Sequence, residues 1–467
     1  MGSQSLPVYM NKITSFFKNS WLIIAVLVLG LFLRNNNYQD FPVSGETQDE
    51  IAWSMLGSSI IQTGKPSSWS WFDAYKDEYI VKEFKYFNQK NEESNYRLVS
   101  PALDHPPLFA LIPGIFHNLQ SSWDQIPSIK LIRLPMIFIG TLNLYLLYLL
   151  ASKIFKDKKT IYLAALIYAT IPIFIFGSRL VVAENLIITW LLLTINLIHS
   201  SLKSKNLLLA IISSLAIFTK VSGIVIPLSI IFYGLQKKQK QTTKAGMLGI
   251  LIGVASYLLY GALVNWQLFL AVNLTQSSRS LGLATIVSRL FLHPAVIERL
   301  FFDGWIFIGF FSIVFWLLTN PKKFTFIRTF TVLHLAFIAS TTGEQTIHGW
   351  YDYPLYPLIS LSIAWFLQFI YQSKNYWLTW FTWILLLPTI RLALIFTDHY
   401  TQLSNLTLRA IMALGAIPIT LSLFKKDKLA QKTILFLGLI LLISVLMVTL
   451  KINSQDYSEI HEFFYIQ

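Results

Sequence analysis

The chain has 467 residues, of which 54% are hydrophobic and 13% charged, with a mean hydropathy of +0.56. A soluble domain carries roughly 25% charged residues, so the composition excludes one and defines an integral membrane protein. Lys and Arg outnumber Asp and Glu by 37 to 23, yet the lysines fall in short clusters between apolar runs, the positive-inside distribution and not a nucleic-acid face. With no cysteine, disulfides, iron–sulfur clusters and thiolate metal sites are excluded as well.

The first apolar run, Trp21 to Phe32, follows Lys12 and Lys18 and has no small-residue cleavage site after it, so it reads as a retained helix and not a signal peptide. A polar interruption over 35–128 comes next. Apolar runs then follow at 131–151, 160–177, 185–199, 206–219, 222–235, 246–265, 302–319, 326–342, 354–371, 376–397, 408–424 and 432–450. A crossing helix needs ~20 residues, so 206–219 and 222–235 must tilt, thin the membrane or form a tight hairpin.

Alternating sides gives about thirteen crossings. One side receives Lys12 and Lys18, the cluster 153–159, Lys203 and Lys205, the cluster 237–244, Lys322 and Lys323 with Arg328, Lys374, and the cluster 425–428. By the positive-inside rule this is the cytoplasmic side. The other side receives the loop 35–128, the turns near Arg179 and Lys220, 266–300, 341–353, 397–406 and the C-terminal tail, with most of the Asp, Glu and His. The expected fold is therefore an all-α polytopic membrane protein, N-terminus cytoplasmic and C-terminus outside. One transmembrane domain is expected over 1–467 with interfacial helices in the first outer loop and no soluble C-terminal domain, because the chain after Leu450 is too short to fold alone. Neither a 20–50 residue repeat nor a matching pair of broken helices is visible, which argues against an inverted-repeat carrier.

In the first outer loop, Asp49-Glu50 precede Ile51, Ala52, Met55, Leu56, Ser59 and Ile60 at helical spacing, which predicts an interfacial helix with both acids at its N-terminus. The helix dipole there favours the carboxylate form, suited to a base or a ligand-binding anion. Successive side chains point ~100° apart, so one acid of the pair can face a given substrate atom; Asp49 is the expected working group, with Glu50 orienting it or binding a second group. Two ordinary helix-start acids are the bland alternative. Trp69, Trp71, Tyr75, Tyr79, Phe84, Tyr86 and Phe87 read as a second membrane-surface segment with aromatic anchors, or a packed lid. His105-Pro106-Pro107-Leu108 then fixes His105 at a defined angle before an apolar helix, where it could bind phosphate, donate to a sugar or cap. Arg133-Leu134-Pro135 opens the second crossing with a guanidinium suited to bidentate phosphate contact, or to snorkelling.

The ordered set Asp49-Glu50, His105-Pro106-Pro107-Leu108, Arg133-Leu134-Pro135, Ser178-Arg179 with Glu184-Asn185, Thr219-Lys220 with Gly223, and Tyr353-Pro354-Leu355-Tyr356-Pro357 resembles the polyprenyl-phosphate-dependent C-type membrane glycosyltransferases. The protein O-mannosyltransferase and lipid A aminoarabinose-transferase branch is the most similar. The resemblance covers 20–235 and thins afterwards. It implies many transmembrane helices, outer-face interfacial helices, and a cavity where a donor lipid phosphate meets its acceptor. It further implies that Asp49 acts on the acceptor nucleophile and that outer-face basic residues bind the donor phosphate. The second-loop acid, often Asp in that family, is Glu184 here.

The inventory fits that chemistry on its own terms. Breaking an anomeric C–O bond puts negative charge on the leaving phosphate and positive charge on the sugar, so cations near one and carboxylates near the other lower the barrier. Asp49, Glu50 and Glu184 are the candidate catalytic acids. His105, Arg133, Arg179, Lys220 and Arg391 are the candidate phosphate-binding residues; Arg391 lies inside an apolar run, where a charge is expensive unless paired or used. Asp49 as base would give inversion by single displacement. The outer, polar and aromatic stretch 343–353 offers His348, Tyr351 and Tyr353 for acceptor or sugar, or is a plain loop. No cofactor is called for. Asp49, Glu50, Glu184, His105, His348 and Asp352 could ligate a divalent metal, although no short ligand motif is present. The sequons at Asn273 and Asn405 carry no assignment. The expected partners are a polyprenyl-phosphate-linked sugar, a lipid, glycan or protein acceptor, and membrane lipids, with the active site on the outer face of a plasma membrane. A lipid-linked sugar flippase is the competing class, and a polysaccharide ligase shares the donor chemistry.

Overall fold

A computed structural model describes residues 6–43, 47–87, 93–277, 304–319, 324–341, 349–396, 402–454 and 464–465. The bundle begins with α1 (Leu6–Asn35), followed in the first loop by α2 (Asp49–Thr63) and α3 (Leu108–His117). Then come α4 (Ile129–Ile154), α5 (Lys158–Thr170), α6 (Pro172–Gly177), α7 (Glu184–Ile198), α8 (Lys205–Thr219), α9 (Val225–Gln236) and α10 (Lys240–Ser277). The later helices are α11 (Gly304–Thr319), α12 (Thr325–Thr341), α13 (Tyr356–Ser373), α14 (Tyr376–Phe396), α15 (Gln402–Leu414), α16 (Ile417–Leu423) and α17 (Asp427–Ser454).

Among the described residues, the segments Ile129–Ile154, Lys240–Ser277, Gly349–Ser373, Asn405–Leu423 and Asp427–Ser454 are long and apolar enough to cross a membrane, and shorter apolar helices fill in between them. On α10 and α17 the outward residues Leu251, Leu259, Leu263, Leu435, Phe436 and Leu439 are exposed, a surface stable only against hydrocarbon. Inside, α4 packs on α5 and α7, α5 on α13, α11 on α13, and α14 on α17.

Two breaks have readable causes. The run 160–177 divides at Ile171, held extended (φ −65°, ψ 126°) ahead of Pro172, because proline disfavours helical geometry in the residue before it. The short runs 206–219 and 222–235 make a tight hairpin of α8 and α9 joined by a single helical turn, Val221–Ile224. Its closeness requires Gly223, where a Cβ would collide with the Ala216 carbonyl. Lys220 stands at the apex with extended backbone.

The first loop departs from the all-α expectation. Its aromatic middle, expected as a membrane-surface segment or a packed lid, forms an antiparallel sheet of β1 (Ser68–Ser70), β2 (Ile80–Phe87), β3 (Glu93–Val99) and β4 (Phe464–Tyr465), ordered β1-β3-β2-β4. Ile80–Phe87 is rich in β-branched and aromatic residues, the pattern that favours pairing, and both it and its partner Glu93–Val99 are too short for a spanning helix. The sheet, with α2 and α3, forms a cap over one end of the bundle. α2 and α3 cross so closely that a Cβ at Gly57 would collide with the Ala110 backbone, and one at Gly114 with the backbone of Gly57 and Ser58.

Candidate functional site

A cavity of about 330 Å³ lies under this cap. Its walls come from α2 and the first loop, the start of α7, the Lys220 hairpin, the end of α10, α12 and the turn Gly349–Leu355. Of the residues singled out from the sequence, Asp49, His105, Glu184, Lys220 and Tyr351 line it together.

At its centre the Lys220 ammonium donates to Glu184 Oε1 at 2.6 Å, and its Nζ lies 5.0 Å from the centroid of the Tyr351 ring, a cation–π distance. Burial opposes the charge on Lys220, but Glu184, Tyr351 and Asp49 outweigh it and hold the ammonium pKa above the usual 10.5. Glu184 is buried, and its second oxygen, Oε2, has no hydrogen-bond partner, an orphan acceptor on the cavity wall of a kind that calls for a ligand or ordered water. Asp49 is half-buried at the first position of α2. Its backbone N–H donates to Thr47 Oγ1 at 3.1 Å, while among the described residues no donor reaches its carboxylate. The cavity thus presents one cation beside two carboxylates with acceptor capacity to spare.

The aromatic wall is held by the turn before α3. The His105 ring stacks on Trp53 of α2 (centroids 4.6 Å apart, planes 19°), and Phe109 meets the same indole edge-on at 5.2 Å. Next to it, Tyr75 donates its hydroxyl to Asp104 and accepts from the Leu103 N–H at 2.8 Å. Burial and the neighbouring Asp104 carboxylate push the Tyr75 phenol well up, so it remains a donor. Gln276 of α10 donates to the Asp104 carbonyl at 2.6 Å, tying this turn to the far wall.

Five expected site residues stand elsewhere. Glu50 points away from Asp49 into the protein, where both oxygens take the Arg133 fork (Nε to Oε1 2.8 Å, Nη2 to Oε2 2.7 Å), and Oε1 also accepts the Val181 N–H at 3.0 Å. Arg133 donates in addition to the carbonyls of Tyr38 (3.0 Å) and Pro42 (2.6 Å), so four of its five donor hydrogens are engaged inside a sealed pair. Arg179 gives donors to the carbonyls of Leu33, Arg34, Asn36 and Phe41 and to Asn453 Oδ1 at 2.6–3.0 Å. It neutralises the C-terminal carbonyls of α1, where a cation is favoured, and ties α1 to the end of α17. Tyr353 is buried against Gly177 and Tyr356. Arg391 is exposed on α14 and absent from the cavity wall. His348 lies outside the described residues.

Two lining residues escaped the sequence reading as site residues. Asp104 directly precedes the His105-Pro106-Pro107 turn. His334 sits alone on α12; its Nε2 pairs with the Tyr351 carbonyl at 2.8 Å and its ring stacks on Phe330. Nothing local in the sequence marks either one, since Tyr351 and His334 meet only through the fold. Among the described residues no group of three or more His, Asp or Glu is disposed to hold a metal ion.

Residues 104–266 match the sequence model of the family described as dolichyl-phosphate-mannose-protein mannosyltransferase. Among solved structures, ArnT from Cupriavidus metallidurans bound to undecaprenyl phosphate superposes with a TM-score of 0.54 at 13% identity, covering 94% of this chain and 77% of that one. The same protein in the apo state gives 0.55 at 11% identity, covering 94% and 78%. The apo oligosaccharyltransferase from Archaeoglobus fulgidus gives 0.47 at 14% identity, covering 90% and 56%. Among curated proteins none matches by sequence. The fold, an all-α polytopic membrane bundle, is similar to that of ArnT.

Proposed function

We propose that this membrane protein of C-type glycosyltransferase fold transfers a sugar from a polyprenyl-phosphate donor to an acceptor hydroxyl, in the cavity shared by Asp49, Glu184 and Lys220. The observation that carries the reading is the ammonium of Lys220 held between Glu184 and Tyr351 in a cavity open to Asp49. Among the described residues it is the only Lys or Arg on that wall, which suits the charge of a leaving phosphate.

In this reading the Asp49 carboxylate takes the proton of the acceptor hydroxyl as its oxygen attacks the anomeric carbon. The bond from that carbon to the phosphate oxygen breaks, and the electron pair leaves with the lipid phosphate toward Lys220. One displacement inverts the anomeric centre. Glu184 keeps Lys220 in place through Oε1, and its unpartnered Oε2 faces the side where the sugar's hydroxyls and developing positive charge would lie. His105 and Tyr351 belong to the walls that orient sugar or acceptor. Glu50, Arg133 and Arg179 act as the frame that fixes Asp49 and the second outer turn. The match of residues 104–266 to a mannosyltransferase family, and the undecaprenyl phosphate in the similarly folded ArnT, support a lipid-phosphate donor. The lysine clusters support a plasma-membrane orientation with a cytoplasmic N-terminus and the cavity outside, and one transmembrane domain over 1–467 is the matching organisation.

The test is transfer itself: protein reconstituted in vesicles with radiolabelled polyprenyl-phosphate sugars and a membrane extract as acceptor. Label moving from the donor into acceptor material, with release of polyprenyl phosphate, is the expected result. A donor lipid that crosses the bilayer without losing its sugar would instead establish the flippase.

A further inference from the structure

A second cavity, of about 520 Å³, runs along α5 between α13, α14 and α17. It belongs to none of the elements that carry Asp49, Glu184 or Lys220. We infer that this groove holds an acyl chain of an anionic phospholipid from the surrounding bilayer, with the lipid phosphate at Lys159.

The shape argues for one amphiphilic chain. The mouth carries Lys159, Gln368, Tyr371 and Thr379, and the body beyond is lined by apolar residues such as Leu166, Ile167, Leu386 and Leu442. From Lys159 to Thr170, α5 rises roughly 17 Å at 1.5 Å per residue, so the groove runs from the basic end of the bundle well into its apolar zone. Gly438 of α17 lines it, and a Cβ built there would meet nothing within 4 Å. A glycine inside a long helix gives up helix stability relative to alanine, while here it leaves a notch open in the groove wall.

The charges at this end select the headgroup. Both neighbouring acids are engaged within the protein: Asp157 caps α5 by accepting from Thr160 N at 3.1 Å and Thr160 Oγ1 at 2.9 Å, and Asp427 accepts from Tyr376 and Ser422 hydroxyls at 3.2 Å. Lys158, Lys159, Lys374, Lys428 and Lys432 around the same end are exposed. These five lysines outnumber the two acids, Asp157 and Asp427, at this end, and the net positive charge at a membrane surface favours an anionic lipid over a zwitterionic one.

The experiment uses the whole protein in phosphatidylcholine nanodiscs with increasing phosphatidylglycerol, read by thermal unfolding and by native mass spectrometry of the lipid retained on extraction. Wild type is expected to unfold at a higher temperature as phosphatidylglycerol is added and to keep one more phosphatidylglycerol than Gly438→Leu, which fills the notch. Lys159→Gln should need about fivefold more phosphatidylglycerol for the same shift. In pure phosphatidylcholine, Gly438→Leu should be at least as stable as wild type, which separates a blocked groove from a damaged fold. Equal retention and equal thermal response in wild type and Gly438→Leu would overturn the proposal. So would displacement of the retained phospholipid from wild type by low amounts of polyprenyl phosphate, which would make the occupant a polyprenyl lipid.

Discussion

The Lys220–Glu184 pair lets stability and donor recognition be pulled apart. Lys220→Met removes the ammonium that neutralises Glu184, whose side chain is only 3% exposed, and leaves a carboxylate in a poorly hydrated wall. Breaking a buried pair from one side costs about 3–5 kcal/mol, so the single variant should unfold at a clearly lower temperature. The double variant Lys220→Met/Glu184→Gln removes both charges, and most of that loss should return. Donor recognition should behave differently. A charge-assisted contact to phosphate contributes about 1.5–3 kcal/mol, equivalent to roughly a 10- to 150-fold change in affinity at 1.4 kcal/mol per tenfold. That loss should appear in Lys220→Met and persist in the double variant, since neither has the cation. The assay pairs thermal unfolding in nanodiscs with equilibrium binding of polyprenyl phosphate. Recovery of wild-type lipid-phosphate affinity in the double variant would refute the assignment of Lys220 to the donor phosphate and reduce the pair to a structural contact.

Arg133→Met should cost about 3–5 kcal/mol of stability by stranding Glu50, visible as a lower unfolding temperature, while the protein that does fold binds lipid phosphate as wild type does; a selective loss of donor affinity would return Arg133 to the site. Gly223→Val should lower the yield of folded protein in a detergent-extraction and gel-filtration assay, because its Cβ meets the Ala216 carbonyl at the neck of the hairpin, whereas normal yield would mean that the α8–α9 turn is wider than described. The raised pKa of Lys220 sets a pH dependence with a definite sign. Its contribution is fully present below the ordinary lysine value of 10.5 and is lost as pH rises through the higher folded value, so lipid-phosphate affinity should show no Lys220-dependent fall between about pH 7 and about pH 9. A fall across that range that disappears in Lys220→Met would contradict it.

The architecture was legible because bilayer physics writes it into composition: apolar run lengths and lysine clusters announced a polytopic helical protein, and the shortness of 206–219 and 222–235 left tilt, membrane thinning or a hairpin, of which the structure shows the hairpin. Asp49 and Glu50 show how far local geometry reaches. Adjacent helical residues cannot face the same atom, and the structure does send one to the cavity and the other inward. Which cation meets a ligand was beyond local reading. Arg133, Arg179 and Lys220 all stand near helix ends, and a guanidinium has the same sequence signature whether its partners are phosphate oxygens or backbone carbonyls 146 residues away, as for Arg179 and Leu33. The sheet of the first loop was hidden for a related reason. Its aromatic residues satisfy an interfacial-anchor pattern as readily as a strand pattern, and pairing of β2 with residues 464–465 is a contact between distant parts of the chain. His334 became visible only once α12 was folded against the turn that carries Tyr351.

The claim on which the rest depends is that Asp49 activates the acceptor, and the direct measurement is sugar transfer from a polyprenyl-phosphate donor by Asp49→Asn beside wild type at matched membrane expression. The account predicts that this near-isosteric variant still binds polyprenyl phosphate with wild-type affinity and unfolds at the wild-type temperature, yet transfers no sugar above background. Transfer at the wild-type rate by Asp49→Asn would contradict it.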